Sequence, residues 1–369
     1  MKVLVFPKDP NPYQELLYRS MPQSIKITYL TAPRKTVLQV LSYYPRILIS
    51  LIFGRFSGER ILHIHWLYSL TLPSRLSVAK WIGYSYSTLF LSLTKILRYK
   101  VVWTVHNVLP HEALTSNDLK IRRKLSLIAA VKIVHSKSTV QEMKRLGLDT
   151  ENCRIIPHGN YQSAYPNNIS DANARKALHI PQSAKVIAFF GRVEPYKGVP
   201  ELLRVYKELA QTHKDMYLLI AGKCFDSKLQ HLLSEAANEY ERIQFHDGYI
   251  EDDKIQTFLN AADICVYPFS EITTSGSILL ASSFGKPIIA PRLGAIKDMP
   301  MQAGIFYDPS EKDALRNSIL AVLKDAKGRQ KMMEASKAYA KTLSWDKISQ
   351  QTVELYESIG GQPRPTADR

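Results

Sequence analysis

Short apolar runs rich in β-branched residues recur along the whole chain. KVLVF, IKITYL, ILHIHWL, KVVWTVHN, AVKIVHS and CRIIPHG occupy the first half, and KVIAFFGR, YLLIAGK, IQFHDGY, ADICVYPF, KPIIAPR and AGIFYD the second. Between them lie longer stretches with apolar positions at helical spacing, such as GVPELLRVYKELAQTH and EDDKIQTFLNAAD. Six strands alternating with helices, twice over, predict an α/β protein of two doubly wound, Rossmann-like domains on parallel sheets. In such sheets ligands bind beyond the carboxyl ends of the strands, so the polar residues that follow strands carry the interest.

Two apolar stretches stand out. VLQVLSYYPRILISLIFG (37–54) is interrupted by Pro45 and Arg46, and WIGYSYSTLFLSLT (81–94) is uncharged with Lys80 and Lys95 at its ends. Neither is an unbroken apolar run of eighteen residues, so no spanning helix is expected. Their aromatic and cationic flanks suit a membrane-interface element, and the pattern equally suits a buried helix of the α/β fold. A stretch rich in Asn, Ser and Pro at 161–184 reads as the linker, which divides the chain into domains at 1–175 and 176–345. Residues 346–369 read as a closing helix that returns to the first domain, followed by a disordered tail.

Charge changes this picture. The chain has 369 residues and a formal charge of +16. Residues 1–180 hold 25 Lys and Arg against 9 Asp and Glu, while the remainder holds 24 of each, so the entire excess sits in the first half. Such asymmetry points the first domain at something anionic: nucleic acid, an anionic membrane surface or a phosphorylated acceptor. No nucleic-acid module is recognisable, so nucleic acid is not expected as a partner. Three scattered cysteines (Cys153, Cys224, Cys265) form neither a disulfide framework nor a metal spacing, which fits a reducing compartment.

Three post-strand loops carry candidate chemistry. GRVEPYKG (191–198) places Arg192 and Lys197 between two glycines; a planar fork and a mobile ammonium together suit a diphosphate. TTSGS (273–277) crowds Thr273, Thr274, Ser275 and Ser277 around Gly276, directly before an apolar helical run. Unpaired N–H groups and the helix dipole favour an anion there, although the same residues also suit a plain helix cap. HNVLPHE (106–112) offers His106, able to donate to a sugar hydroxyl or to take a proton, and Glu112 as a general base. His63 and His65, two apart on a strand, have no third ligand at a metal spacing and read as packing. Glu251, Asp252 and Asp253 read as a charged helix start.

The second half resembles the glycosyltransferases of the GT-B fold, family 4 most closely. The resemblance lies in FFGRVEPYKGVPELLRVYKEL, LLIAGK, FHDGYIEDDKIQTFLNAADICVYPF, TTSGSILLASSFGKPIIAPRLGAIKDM and AGIFYDPSEKDAL, taken in that order. The first half is similar more loosely, through ILHIHW, VVWTVHN, IVHS and CRIIPHGN. The resemblance implies two Rossmann-like domains facing a cleft, with a GDP- or UDP-sugar as donor substrate and no cofactor or metal. It puts Arg192, Lys197 and the 273–277 loop on the donor diphosphate and His106 beside the donor sugar. Divergent relatives build bacterial lipid-linked polysaccharides, which implies a polyprenyl-pyrophosphate saccharide as acceptor. It also implies a cytoplasmic location, peripheral at the inner face of the cell membrane.

The family's paired glutamates are missing. Aligning FGKP with the family's CGKP puts the two positions on Ile272 and Leu280, with Glu271 displaced by one. The ribose contact that the second glutamate supplies must come from elsewhere, and retention or inversion stays open. Two other readings suit the same fold: a non-hydrolysing sugar-nucleotide epimerase, or a nucleotide-sugar-binding protein without catalysis.

Overall fold

The structure is a computed structural model that describes residues 1–30, 37–71, 76–110, 113–271 and 275–360. Contacts divide the chain into two units, 1–158 with 345–369, and 159–344. In the first, strands β1 (Lys2–Phe6), β2 (Lys26–Tyr29), β3 (Ile61–Ile64), β4 (Lys100–Val105), β5 (Ala129–Val134) and β6 (Cys153–Ile155) form a sheet in the order β2-β1-β3-β4-β5-β6. Every pairing is parallel. Helices α1 (Pro12–Arg19), α2 (Val37–Phe56), α3 (Ser77–Ile96), α4 (Asp118–Ile128) and α5 (Lys137–Arg145) connect the strands.

The second unit begins with α6 (Asp171–Ala177) and continues through β7 (Lys185–Phe190), α7 (Val199–Ala210), β8 (Met216–Ala221), α8 (Ser227–Glu239) and β9 (Ile243–His246). Then come α9 (Ile255–Ala261), β10 (Ile264–Val266), α10 (Gly276–Ser283), β11 (Ile288–Pro291), β12 (Gly304–Tyr307), α11 (Ala314–Lys324) and α12 (Ala326–Thr342). Its sheet, again all parallel, has the order β12-β11-β10-β7-β8-β9. The last helix, α13 (Trp345–Gly360), belongs to the first unit, where the ring of Trp345 lies 5.1 Å from that of Tyr13 on α1.

All twelve strands fall on the apolar runs identified in the sequence. Strands covered on both faces read as continuous apolar runs because no position meets water; β3, β10 and β11 are buried at every residue. Both sheets wind outwards in two directions from a switch point, between β1 and β3 in one and between β7 and β10 in the other. Ligands of doubly wound sheets bind in the crevice beyond the strand ends at such points.

The division differs from the expected one at 175/176. The Asn/Ser/Pro-rich stretch at 161–184 belongs to the second unit. It forms α6, whose Arg175 donates to the carboxylate of Asp263 at 2.9 Å and to the carbonyls of Gln182 and Ala184. Polar composition there marks turns at the edge of a packed layer.

Both apolar stretches are helical. Helices α2 and α3 touch where the Tyr86 hydroxyl donates to the Tyr44 carbonyl at 2.6 Å. They bury Ile47, Leu51, Phe90 and Leu91 in the core of the first unit. Yet Ile49, Ile52, Phe53 and Phe56 on α2, and Val78, Trp81, Ile82, Leu89 and Ile96 on α3, stay exposed, Phe56 by 82%. The sequence offered interface element and buried helix as alternatives; each helix has one face buried in the core and another that is apolar and exposed. Among the described residues no helix is long and apolar enough to cross a membrane.

Candidate active site

At the switch point of the second sheet, β7 ends at Phe190 and the chain turns through Gly191, which sits at φ 133°. A β-carbon on Gly191 would collide with the hydroxyl of Ser277, in the first turn of α10. The 191–198 loop and the start of α10 are therefore one structure. Val193 N–H donates to the Lys223 carbonyl at 2.9 Å on one side, and Ser270 N–H to the Tyr196 carbonyl at 3.0 Å on the other. Gly198, at φ 71°, packs against the Pro268 carbonyl with no room for a side chain.

The hydroxyls of the 273–277 loop do different things. Ser275 is the N-cap of α10, and its Oγ accepts from Ile278 N–H at 3.2 Å. It is buried, so its role in the helix is structural as the capping alternative had it. Ser277 lies beyond the cap and turns towards Gly191. A side chain on Gly276 would meet the Tyr161 hydroxyl at 3.2 Å. Thr273 and Thr274 lie outside the described residues.

The two cations are held differently. Arg192 pairs with Glu194 and lies over the Phe225 ring at 4.6 Å, its side chain 67% exposed. Lys197 is partly buried between the rings of Phe269, 4.5 Å away, and Tyr196, 5.0 Å away. Burial, with Arg192 adding repulsion and Glu194 opposing, brings its pKa down to about 8. An ammonium in that setting is poorly solvated and gains strongly from an arriving anion.

In the first unit, His106 follows β4. Its ring stacks on Trp66 at 4.2 Å and 10°, and its Nε2 lies 3.2 Å from His65 Nδ1. His65, His135 and His158 follow the ends of β3, β5 and β6, so neighbouring strands each deliver a histidine to one end of the sheet. Tyr13 sits among them, its ring 4.7 Å from His106 and 4.9 Å from His158. His135 Nδ1–H donates to the Ile156 carbonyl at 2.9 Å, which leaves Nε2 as a buried lone pair with no hydrogen-bond partner among the described residues. Burial lowers the pKa of His135 to about 4 and those of His65 and His106 well below the usual histidine value, so these three are neutral at pH 7. His63 and His65 stack at 4.1 Å, and among the described residues no group of metal-ligating side chains converges.

Sequence reasoning named Arg192, Lys197, Ser277 and His106 but not the residues they contact. Glu112, the proposed base, lies outside the described residues. Phe225 and Phe269 were missed because their contacts join loops that follow different strands, while Glu194 stands in the same loop as Arg192. The histidine cluster did have a signal, since three of its members directly follow a strand.

Residues 184–325 match the sequence profile described as "Glycosyl transferases group 1". The chain is 29% identical over 248 residues to a D-inositol 3-phosphate glycosyltransferase of Corynebacterium urealyticum, covering 64% of this chain and 58% of that protein. It is 25% identical over 309 residues to a GDP-mannose:glycolipid 4-β-D-mannosyltransferase of Xanthomonas campestris pv. campestris, covering 82% of this chain and 77% of the relative. In three dimensions it superposes on Anabaena HepE in complex with UDP at a TM-score of 0.73 and 18% identity, over 97% of this chain and 100% of the other. The two six-stranded parallel sheets and this superposition give the chain the GT-B fold, and residues 184–325 of its second unit are similar to glycosyl transferase group 1.

Proposed function

We propose that the chain moves a hexose-class sugar from a nucleotide-diphosphate donor to a lipid-linked saccharide, at the cytoplasmic face of a membrane. The observation that carries this reading is the desolvated Lys197 beside Arg192 on a glycine-bounded loop that abuts the first turn of α10. Two cations and a helix start aimed at one crevice suit a diphosphate, and they offset the charge that develops as it leaves. His106 meets the transferred sugar in this reading, and Glu112 takes the acceptor's proton. The relative that acts on a glycolipid by name supports the acceptor class. So do the exposed apolar helix faces and the excess positive charge of the first half, which suit an anionic membrane surface.

Thermal unfolding with UDP, GDP, TDP and ADP tests the donor site. A nucleotide at a hundred times its Kd stabilises the folded state by about 2.7 kcal/mol. One or more of the four is expected to raise Tm, and less so in Lys197→Ala. No shift with any of them would overturn the reading.

A further inference from the structure

We infer that a one-way chain of hydrogen bonds behind His106 fixes its tautomer, so that it meets its ligand as a hydrogen-bond donor through Nδ1–H. The inference rests on the reading of His106 as a ligand-facing residue and assigns Tyr18, His63, His65, Thr104 and Tyr356 as positioning residues.

The contacts form a continuous path in the first unit. His106 Nε2 is 3.2 Å from His65 Nδ1, and His65 Nε2 is 2.7 Å from the Tyr18 hydroxyl. Tyr18 hydrogen bonds with Tyr356, whose hydroxyl is 2.5 Å from His63 Nδ1; Tyr18 itself is 3.0 Å from the same nitrogen. His63 Nε2 ends the path 2.7 Å from Thr104 Oγ1. Thr104, His63, His65 and Tyr356 are all buried. Burial lowers the three imidazole pKa values and raises those of both phenols, so each ring carries a single proton at neutral pH.

With one proton per group, only two fillings keep every contact and also leave no O–H or N–H orphaned inside the path. Either every proton points towards His106, or every proton points towards Thr104. Fillings that converge on Tyr18 or Tyr356, whose oxygens can accept twice, keep every contact but leave that buried O–H with no acceptor, and fillings that diverge from a group need two protons where it has one. The Thr104 end decides between the two. Among the described residues its hydroxyl has His63 as its hydrogen-bond partner and no other. If Thr104 accepted from His63, its own buried O–H would have nowhere to donate. If it donates, only acceptor capacity is left over, and under-used buried oxygens are tolerated more readily than orphaned donors.

The protons therefore run from Thr104 to His63 Nε2, from His63 Nδ1 to Tyr356, from Tyr356 to Tyr18, from Tyr18 to His65 Nε2, and from His65 Nδ1 to His106 Nε2. His106 keeps its own proton on Nδ1. Each donor in such a run polarises the next. Trp66, stacked on the ring, holds its plane. The sequence left His106 either to donate to a sugar hydroxyl or to take a proton; this chain of bonds selects donation and leaves proton acceptance to another group.

Long-range proton–nitrogen correlation spectra of the full chain labelled with 15N-histidine read the tautomers directly. His63, His65 and His106 are expected in the Nδ1–H form, the less common one for free histidine. An Nε2–H resonance for His106 in the parent protein overturns the inference, with no variant needed. Activity supplies the second readout. An Asn amide can donate from near the Nδ1 position and an Asp carboxylate cannot, so His106→Asn should retain transfer within about tenfold while His106→Asp loses more than a hundredfold. The reverse order would make His106 the base and overturn the inference. Parent-like rates in both variants would instead remove His106 from the ligand, against the functional reading, and leave the spectra as the test of the tautomer.

Discussion

The hydroxyl of Ser277 occupies the space in which residue 191 would carry a β-carbon, so any side chain at 191 must displace it. Gly191 also sits at φ 133°, which other residues rarely adopt. Loop and helix are thus interlocked at the proposed phosphate site.

Gly191→Ala is expected to displace the loop and lower nucleotide affinity more than tenfold, with a stability loss of roughly 1–3 kcal/mol from the strained backbone. Adding Ser277→Ala removes the colliding hydroxyl but neither the strain nor the need for that hydroxyl at the phosphate, so neither stability nor affinity should return to the parent's. Isothermal titration with the nucleotide that binds, alongside melting curves, checks both. Unchanged affinity in Gly191→Ala would place the nucleotide elsewhere.

The neighbouring serines should separate. Ser275 caps α10, so Ser275→Ala is expected to cost about 1 kcal/mol of stability and to leave donor affinity of the folded fraction near the parent's. Ser277→Ala should do the opposite, lowering affinity and transfer rate with little effect on Tm. A stability loss in both, with affinity intact, would reduce the loop to a helix start.

Lys197 sets a pH dependence. Its pKa near 8 lies below the usual lysine value, so the free protein holds an ammonium below pH 8 and a neutral amine above it. Nucleotide-diphosphate affinity should be highest below pH 8 and fall up to tenfold per unit as pH rises through it. Lys197→Arg stays charged and should flatten the profile. A parent profile that is flat from pH 7 to 9 would show that this ammonium does not meet the diphosphate.

Phe53 and Phe56 are exposed by 67% and 82% on α2. Replacing both by serine should leave Tm nearly unchanged, because exposed positions support little of the core. Flotation with anionic vesicles should show weaker binding by the double variant, and binding by the parent that fades as salt rises. Parent-like flotation of the variant would turn this face away from the membrane.

Much of the fold was legible because parallel strands covered by helices leave an unbroken apolar signature, and each of the twelve runs became a strand. The candidate residues were legible for a related reason: in a doubly wound sheet the groups beyond the strand ends gather at one end of it, as Arg192, Lys197 and Ser277 do in the second unit and His106 does among the histidines of the first. Their states were not legible. That Lys197 is desolvated depends on Phe269, distant in sequence and brought near by the adjacency of β7 and β10. That Ser275 caps a helix while Ser277 abuts a glycine depends on where a single turn begins. The unit boundary moved to His158 because Arg175 found Asp263, a pairing that composition cannot report. The proton order behind His106 depends on six groups from β3, β4, α1 and α13. Sequence sets which groups stand at the strand ends, since that is local periodicity; partner, burial and hydrogen-bond direction are properties of three-dimensional neighbourhood, and only the folded chain fixes them.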